Sequence, residues 1–127
     1  MLEKGLKNTI KINVTEDKTA KVMGSGILDV FATPAMVALM EQTAAESVQP
    51  HLDEGITSVG TKINVEHLAA DPVGIEVMCE STLVDIDGRK LCFEITVSDK
   101  HGVVGKAYHE RFLIKSESFM AKTNAKL

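Results

Sequence analysis

One stretch of this chain limits its fold more than any other: Val30 to Thr43, which opens a single long helical run among segments that otherwise alternate or turn. Thr33 suits an N-cap, and Pro34 suits the first helical position, where its missing N–H costs nothing. Pro50 cannot continue a helix, so the run is predicted to stop there. Between these ends Met36, Val37, Leu39, Met40, Ala44 and Val48 recur at helical spacing and make one apolar stripe.

The remaining periodicity is that of strands. Asn8 to Thr15 alternates, with Ile10, Ile12 and Val14 on one face. Thr19 to Met23 reads as a short second strand, and Gly24-Ser25-Gly26 breaks the pattern before a connector, Ile27 to Ala32. Ser58 to Ala69 is predicted as a strand that sets Val59, Thr61, Ile63, Val65 and His67 on one face, against Lys62, Asn64 and Glu66 on the other. Ile75 to Ile86 and Arg89 to Ser98 form a long hairpin about Asp87-Gly88, and Asp99 to Gly102 turns the chain into a last strand, Val103 to Lys115. In that strand Gly105 and Ala107 leave room for a helix to pack closely. Ser116 to Leu127 reads as a frayed helix or a tail.

The expected class is therefore α+β, an antiparallel curved sheet wrapped around one long central helix in a single domain, 1–127. One helix cannot cover both faces of so long a sheet, so a second copy is expected against the other face or an edge, as a dimer or a tetramer. With 127 residues the chain has length for one core and not for two. A net charge of −4 with scattered Lys and Arg argues against nucleic acid as the main partner. Met1 to Gly5 lead into no apolar run, and no stretch could span a bilayer, so the expected location is cytoplasmic. With Asp87-Gly88 as the hairpin loop, Cys92 would face Leu83 and Cys79 would face Thr96, which puts the sulfurs on the order of 13 Å apart, beyond disulfide reach. Both read as reduced packing residues.

Glu41 breaks the pattern of the helix. At about 100° per residue it falls on the flank of the buried face, and Val37, Ala38, Ala44 and Ala45 offer it no local cation. A carboxylate at an apolar margin is costly unless the fold uses it. His67 closes a strand face that is otherwise apolar at that end. Aimed into one cleft, the two supply a base or nucleophile and a proton donor, with the Thr33 hydroxyl near the helix N-terminus, where negative charge is favoured. Such a set could cleave an activated acyl ester. Taken singly, each has an ordinary reading: a rim acid, a hydrogen-bonded histidine, a helix cap. His51, His101 and His109 have nothing to single them out.

Val30-Phe31-Ala32-Thr33, Met36-Val37 and Leu39-Met40-Glu41 together resemble the approach to the helix in hotdog-fold thioesterases of the fluoroacetyl-CoA thioesterase type. So do Gly60-Thr61, Val65, His67, Ala69-Ala70, Pro72 and Gly74, then Gly88-Arg89, His109-Glu110-Arg111, and Phe119 with Ala121-Lys122. The resemblance implies a homodimeric hotdog domain that hydrolyses an acyl-CoA thioester, with its pocket at or near the dimer interface. It places Glu41 as nucleophile or general base, His67 as acid–base partner and Thr33 as a positioning hydroxyl. Gly60 and Thr61 fall at the substrate, with the Gly60 N–H free to approach the acyl group. No metal or redox cofactor is implied, only CoA as part of the substrate. Lys62, Arg89, Lys90 and the tail lysines are candidate phosphate partners.

The link from Met23 to Val30 departs from the family pattern. It is short, glycine-rich and free of aromatics, where members selective for fluoroacetyl-CoA carry a longer aromatic lid. A different acyl group, short or branched, is therefore expected. Two other readings compete: a hydratase or dehydratase on the same fold, for which the expected histidine-bearing loops are missing, and a non-catalytic acyl-CoA sensor, which would not need a desolvated base.

Overall fold

The computed structural model describes residues 2–127, and Met1 lies outside the described residues. Five strands make one antiparallel sheet: β1 (Lys7–Asn13), β2 (Ile56–His67), β3 (Glu76–Asp87), β4 (Lys90–Asp99) and β5 (Gly102–Lys115). Their spatial order is β1-β3-β4-β5-β2. Between β1 and β2 the chain forms a one-turn helix α1 (Ala20–Met23) and the long helix α2 (Thr33–Val48), and it ends in α3 (Ser116–Asn124). This is the hotdog architecture, and α2 touches all five strands.

The helix forms where the apolar spacing places it, and it buries Met36, Leu39, Met40, Ala44 and Val48 completely or nearly so. These meet Val77, Cys79, Leu83, Leu91, Phe93, Ile95 and Val97 from the inner faces of β3 and β4. Gln42 and Glu46 stay exposed, as their position opposite the stripe requires. Gly105 lets the sheet approach the helix: a Cβ there would collide with the Met36 sulfur and come within 3.3 Å of the Met40 methyl. Asn8 ties the first strand to the helix through a 3.0 Å bond from its amide to the Thr43 carbonyl.

Four local expectations are corrected. Thr19 to Met23 is not a strand: Thr19 caps the N-terminus of α1 by accepting from the Val22 N–H. Ala32, not Thr33, holds the N-cap position of α2, and Thr33 is the first helical residue. The β3–β4 loop is Gly88-Arg89, since Asp87 pairs with Lys90. A bulge between Leu83 and Asp85 then sets Cys92 opposite Asp85, while Cys79 pairs with Val97. Both thiols are buried and free, and burial pushes the Cys79 thiol up to about 11.

The fourth correction bears on the site. β2 has its own bulge between Gly60 and Lys62, so the face that carries Ile63, Val65 and His67 continues through Gly60 and Ser58, not through Thr61 and Val59. Ser58 is buried, whereas Thr61 is exposed and donates its hydroxyl to the Glu110 carbonyl at 3.2 Å.

Candidate active site

Two clusters sit on the groove between α2 and β2. The first joins the start of the helix to the end of the strand. Thr33 needs no capping role, because Ala32 occupies that position, and its hydroxyl lies 2.8 Å from His67 Nδ1. The edge of the Phe31 ring meets the imidazole at a centroid distance of 6.4 Å. His67 Nε2 is buried and has no hydrogen-bond partner, an arrangement that costs free energy unless another group uses it. Beside the pair lies a cavity of about 340 Å³, lined by Val30, Phe31, Thr33, His67, Leu68 and Ala70 among others.

The second cluster lies two helical turns further along. Glu41 is 40% exposed and reaches over Gly60, where an added Cβ would come within 2.7 Å of its Oε2. The cation missing from its own helix comes from the sheet: Arg111 Nη1 lies 3.7 Å from Glu41 Oε2. Arg111 is almost wholly buried. Its Nε donates to the Ser58 hydroxyl at 2.7 Å and its Nη2 to the Ser58 carbonyl at 3.0 Å. His109, buried beside it, bonds Lys62 O through Nδ1 at 2.8 Å and faces Arg111 through Nε2 at 3.2 Å. Burial holds both the imidazole and the guanidinium below their ordinary pKa values.

Within one chain these clusters stay apart. Thr33 and Glu41 are separated by about 12 Å of helix, and Gly60 and His67 by on the order of 20 Å of strand. The structure therefore joins Thr33 to His67 and Glu41 to Gly60, and Thr61 turns toward the opposite face. Ser58, His109 and Arg111 were not singled out from the residues, although alternation from Gly105 and Ala107 carries both His109 and Arg111 onto the inner face of β5.

Comparison with known proteins agrees over most of the chain. The sequence matches the fluoroacetyl-CoA-specific thioesterase family across residues 14–117. The chain belongs to this family. A relative in it, the fluoroacetyl-CoA thioesterase of Streptantibioticus cattleyicolor, is 39% identical over 98 residues, 77% of this chain and 70% of that protein. The solved structure of the fluoroacetyl-CoA thioesterase FlK superposes with a TM-score of 0.95 at 32% identity, covering 100% of this chain and 98% of that one. A point mutant of FlK bound to fluoroacetate and CoA gives 0.88 at 32% identity, over 93% and 99% of the two chains. A hot-dog-like protein from Thermanaerovibrio acidaminovorans, 22% identical, shares the fold with a TM-score of 0.91 over 99% and 93% of the chains.

Proposed function

We propose that this family member hydrolyses an acyl-CoA thioester to the free acid and CoA, at a site that Thr33, Glu41 and His67 build together. The observation that carries the reading is the Thr33–His67 hydrogen bond, with a buried, unpartnered Nε2 beside the cavity. Thr33 holds the ring in orientation and leaves Nε2 free for the substrate. Glu41 either attacks the thioester carbonyl or takes the proton of an attacking water. In both routes the carbon–sulfur bond breaks and the departing thiolate receives a proton, which His67 supplies. Direct attack leaves an acyl anhydride on Glu41 that a water then opens. The Gly60 N–H lies where small size permits close approach to the acyl group.

Since Glu41 and His67 stand at opposite ends of the groove, the complete set is formed by two copies. β2 is an edge strand that pairs only with β5 and offers its other side to a partner. Antiparallel pairing of two β2 strands about a two-fold midway between Gly60 and His67 sets the partner's His67 opposite Glu41. The active form is thus a homodimer with two shared sites. The acyl group differs from fluoroacetyl, because the Met23–Val30 link carries Ile27 and Leu28, both well exposed, and no aromatic residue.

The deciding measurement is CoA release from a panel of acyl-CoA esters by the parent, Glu41→Gln and His67→Ala. Glu41→Gln should lose several orders of magnitude in kcat with folding intact, and His67→Ala about 10²–10⁴-fold. Acyl-CoA binding without turnover in the parent would make this chain a sensor. Turnover in water enriched in ¹⁸O, followed by mass analysis of the Glu41 peptide, separates the anhydride route from the water route.

A further inference from the structure

Behind Glu41 lies a buried group of polar side chains to which the reading above gives no role: Ser58, His109 and Arg111. Every nitrogen of the guanidinium is engaged: Nε on the Ser58 hydroxyl, Nη2 on the Ser58 carbonyl, Nη1 toward His109 Nε2. A guanidinium only donates, so His109 Nε2 must accept, and the ring is neutral. Its one proton then sits on Nδ1 and is donated to the Lys62 carbonyl at 2.8 Å. The tautomer follows from its two neighbours.

This arrangement decides how Arg111 can treat Glu41. A free guanidinium beside a carboxylate closes into a two-pronged ion pair with contacts of about 2.7–2.9 Å, which would occupy the oxygens that the chemistry needs. Here the fork is turned away by Ser58 and His109, and Nη1 alone faces Glu41, at 3.7 Å. The cation is near enough to orient the carboxylate and too committed elsewhere to clamp it.

We propose that His109 is a positioning residue, whose neutral imidazole fixes the Arg111 guanidinium and so aims a free Glu41 carboxylate across Gly60 at the substrate. This rests on the reading of Glu41 as the reacting carboxylate. Protonating His109 would convert Nε2 into a second donor facing Nη1, and Arg111 would swing out. The charged groups facing the ring are Arg111 from its own strand and Glu41 from α2. β4 presents only the Phe93 ring, at a centroid distance of 6.0 Å, and β2 the Lys62 carbonyl. Glu110 points to the opposite face with the Lys62 side chain.

The test is the pH profile of kcat for the parent, His109→Leu and His109→Gln, with Glu41→Gln alongside. Leu fills the space but bonds nothing. Gln can donate to the Lys62 carbonyl and accept from Arg111, and it has no proton to gain near neutrality. His109→Leu should lower kcat about 10²-fold, the scale of a misplaced reacting group, with KM little changed. His109→Gln should restore most of that loss and move the acid limb of the profile to lower pH. If folded His109→Gln keeps the parent's acid limb, or falls as far as His109→Leu at every pH, the proposal is overturned. Full activity in Glu41→Gln would overturn the assignment of Glu41 instead, a separate result.

Discussion

A methyl group added at Gly60 and one added at Gly105 would meet the same helix with opposite consequences. At Gly60 the new Cβ would press chiefly on Glu41 Oε2, the free end of a flexible side chain, and would come within 3.3 Å of His109 Cε1 and 3.4 Å of Arg111 Nη1. Gly60→Ala should therefore cost no more than about 1 kcal/mol of stability and lower kcat/KM about 10²-fold, because the carboxylate is pushed off its line. At Gly105 the obstacle is Met36, which has no exposed surface and no room to yield. Gly105→Ala should cost about 1–3 kcal/mol by overpacking, while the folded fraction keeps its turnover. Thermal melts and steady-state kinetics on the two variants give a crossed pattern. Equal effects on both properties in both proteins would show that Gly60 is only a packing position.

At the level of elements, Asp71 in the loop from β2 to β3 lies against Asp99 at the turn between β4 and β5. Asp71 is 1% exposed, and its Oδ2 has no ordinary donor. Burial, then the neighbouring Asp99, raise its pKa from 3.8 to about 7, while the Asp71 hydrogen bond holds Asp99 below the ordinary carboxylate range. Asp99 Oδ1 meanwhile accepts from the N–H groups of His101 and Gly102. A raised folded value means that the stabilisation from Asp71 is fully present below its unfolded value and is lost as pH rises through about 7. The parent's melting temperature should fall across that window, and Asp71→Asn, which can donate permanently, should not show the step. The same loop accepts the Phe31 N–H at the Asp71 carbonyl, so its loosening would reach the cavity wall.

Elements of ten or more residues could be read from the sequence, because their periodicity repeats often enough to leave one answer. Helix α2 and both hairpins of β3, β4 and β5 are of this kind. Thr19 to Met23 is too short for that, and a four-residue helix won through the cap that Thr19 provides. Thr33 looked sufficient as a cap, and only the fold could show its hydroxyl committed to His67. The ion pair of Glu41 lay outside the reach of any local rule, since its partner arrives from β5, far along the chain. The bulge in β2 leaves no periodic signature either: one extra residue exchanges the faces without changing the composition of the strand.

For the whole molecule, the sheet has two unlike edges. β1 is short and carries Lys7 and Lys11 outward, features that discourage pairing, whereas β2 is twelve residues long and lies beside both halves of the site. The proposed sharing of the site between copies makes a prediction that no single chain could satisfy. Glu41→Gln and His67→Ala, each strongly impaired alone, should regain turnover above either parent variant when unfolded together and refolded, because a mixed dimer contains one intact set. Absence of any recovery, with mixed dimers shown to form, would confine the chemistry to one chain.

The extra residue at Thr61 lets one ribbon obey two phases. Upstream, even-numbered positions look inward and deliver Ser58 and Gly60 to the carboxylate. Downstream, odd-numbered positions do so and deliver His67 to the threonine. Excising Thr61 would remove the extra residue alone: Gly60 and Lys62 would become neighbours against Arg111 and Glu110, and Ser58, Gly60, Ile63, Val65 and His67 would hold the inner face in one unbroken alternation. What would go is the local bend and added twist that the extra residue gives the strand, so the change would reach the site through the angle between its two halves.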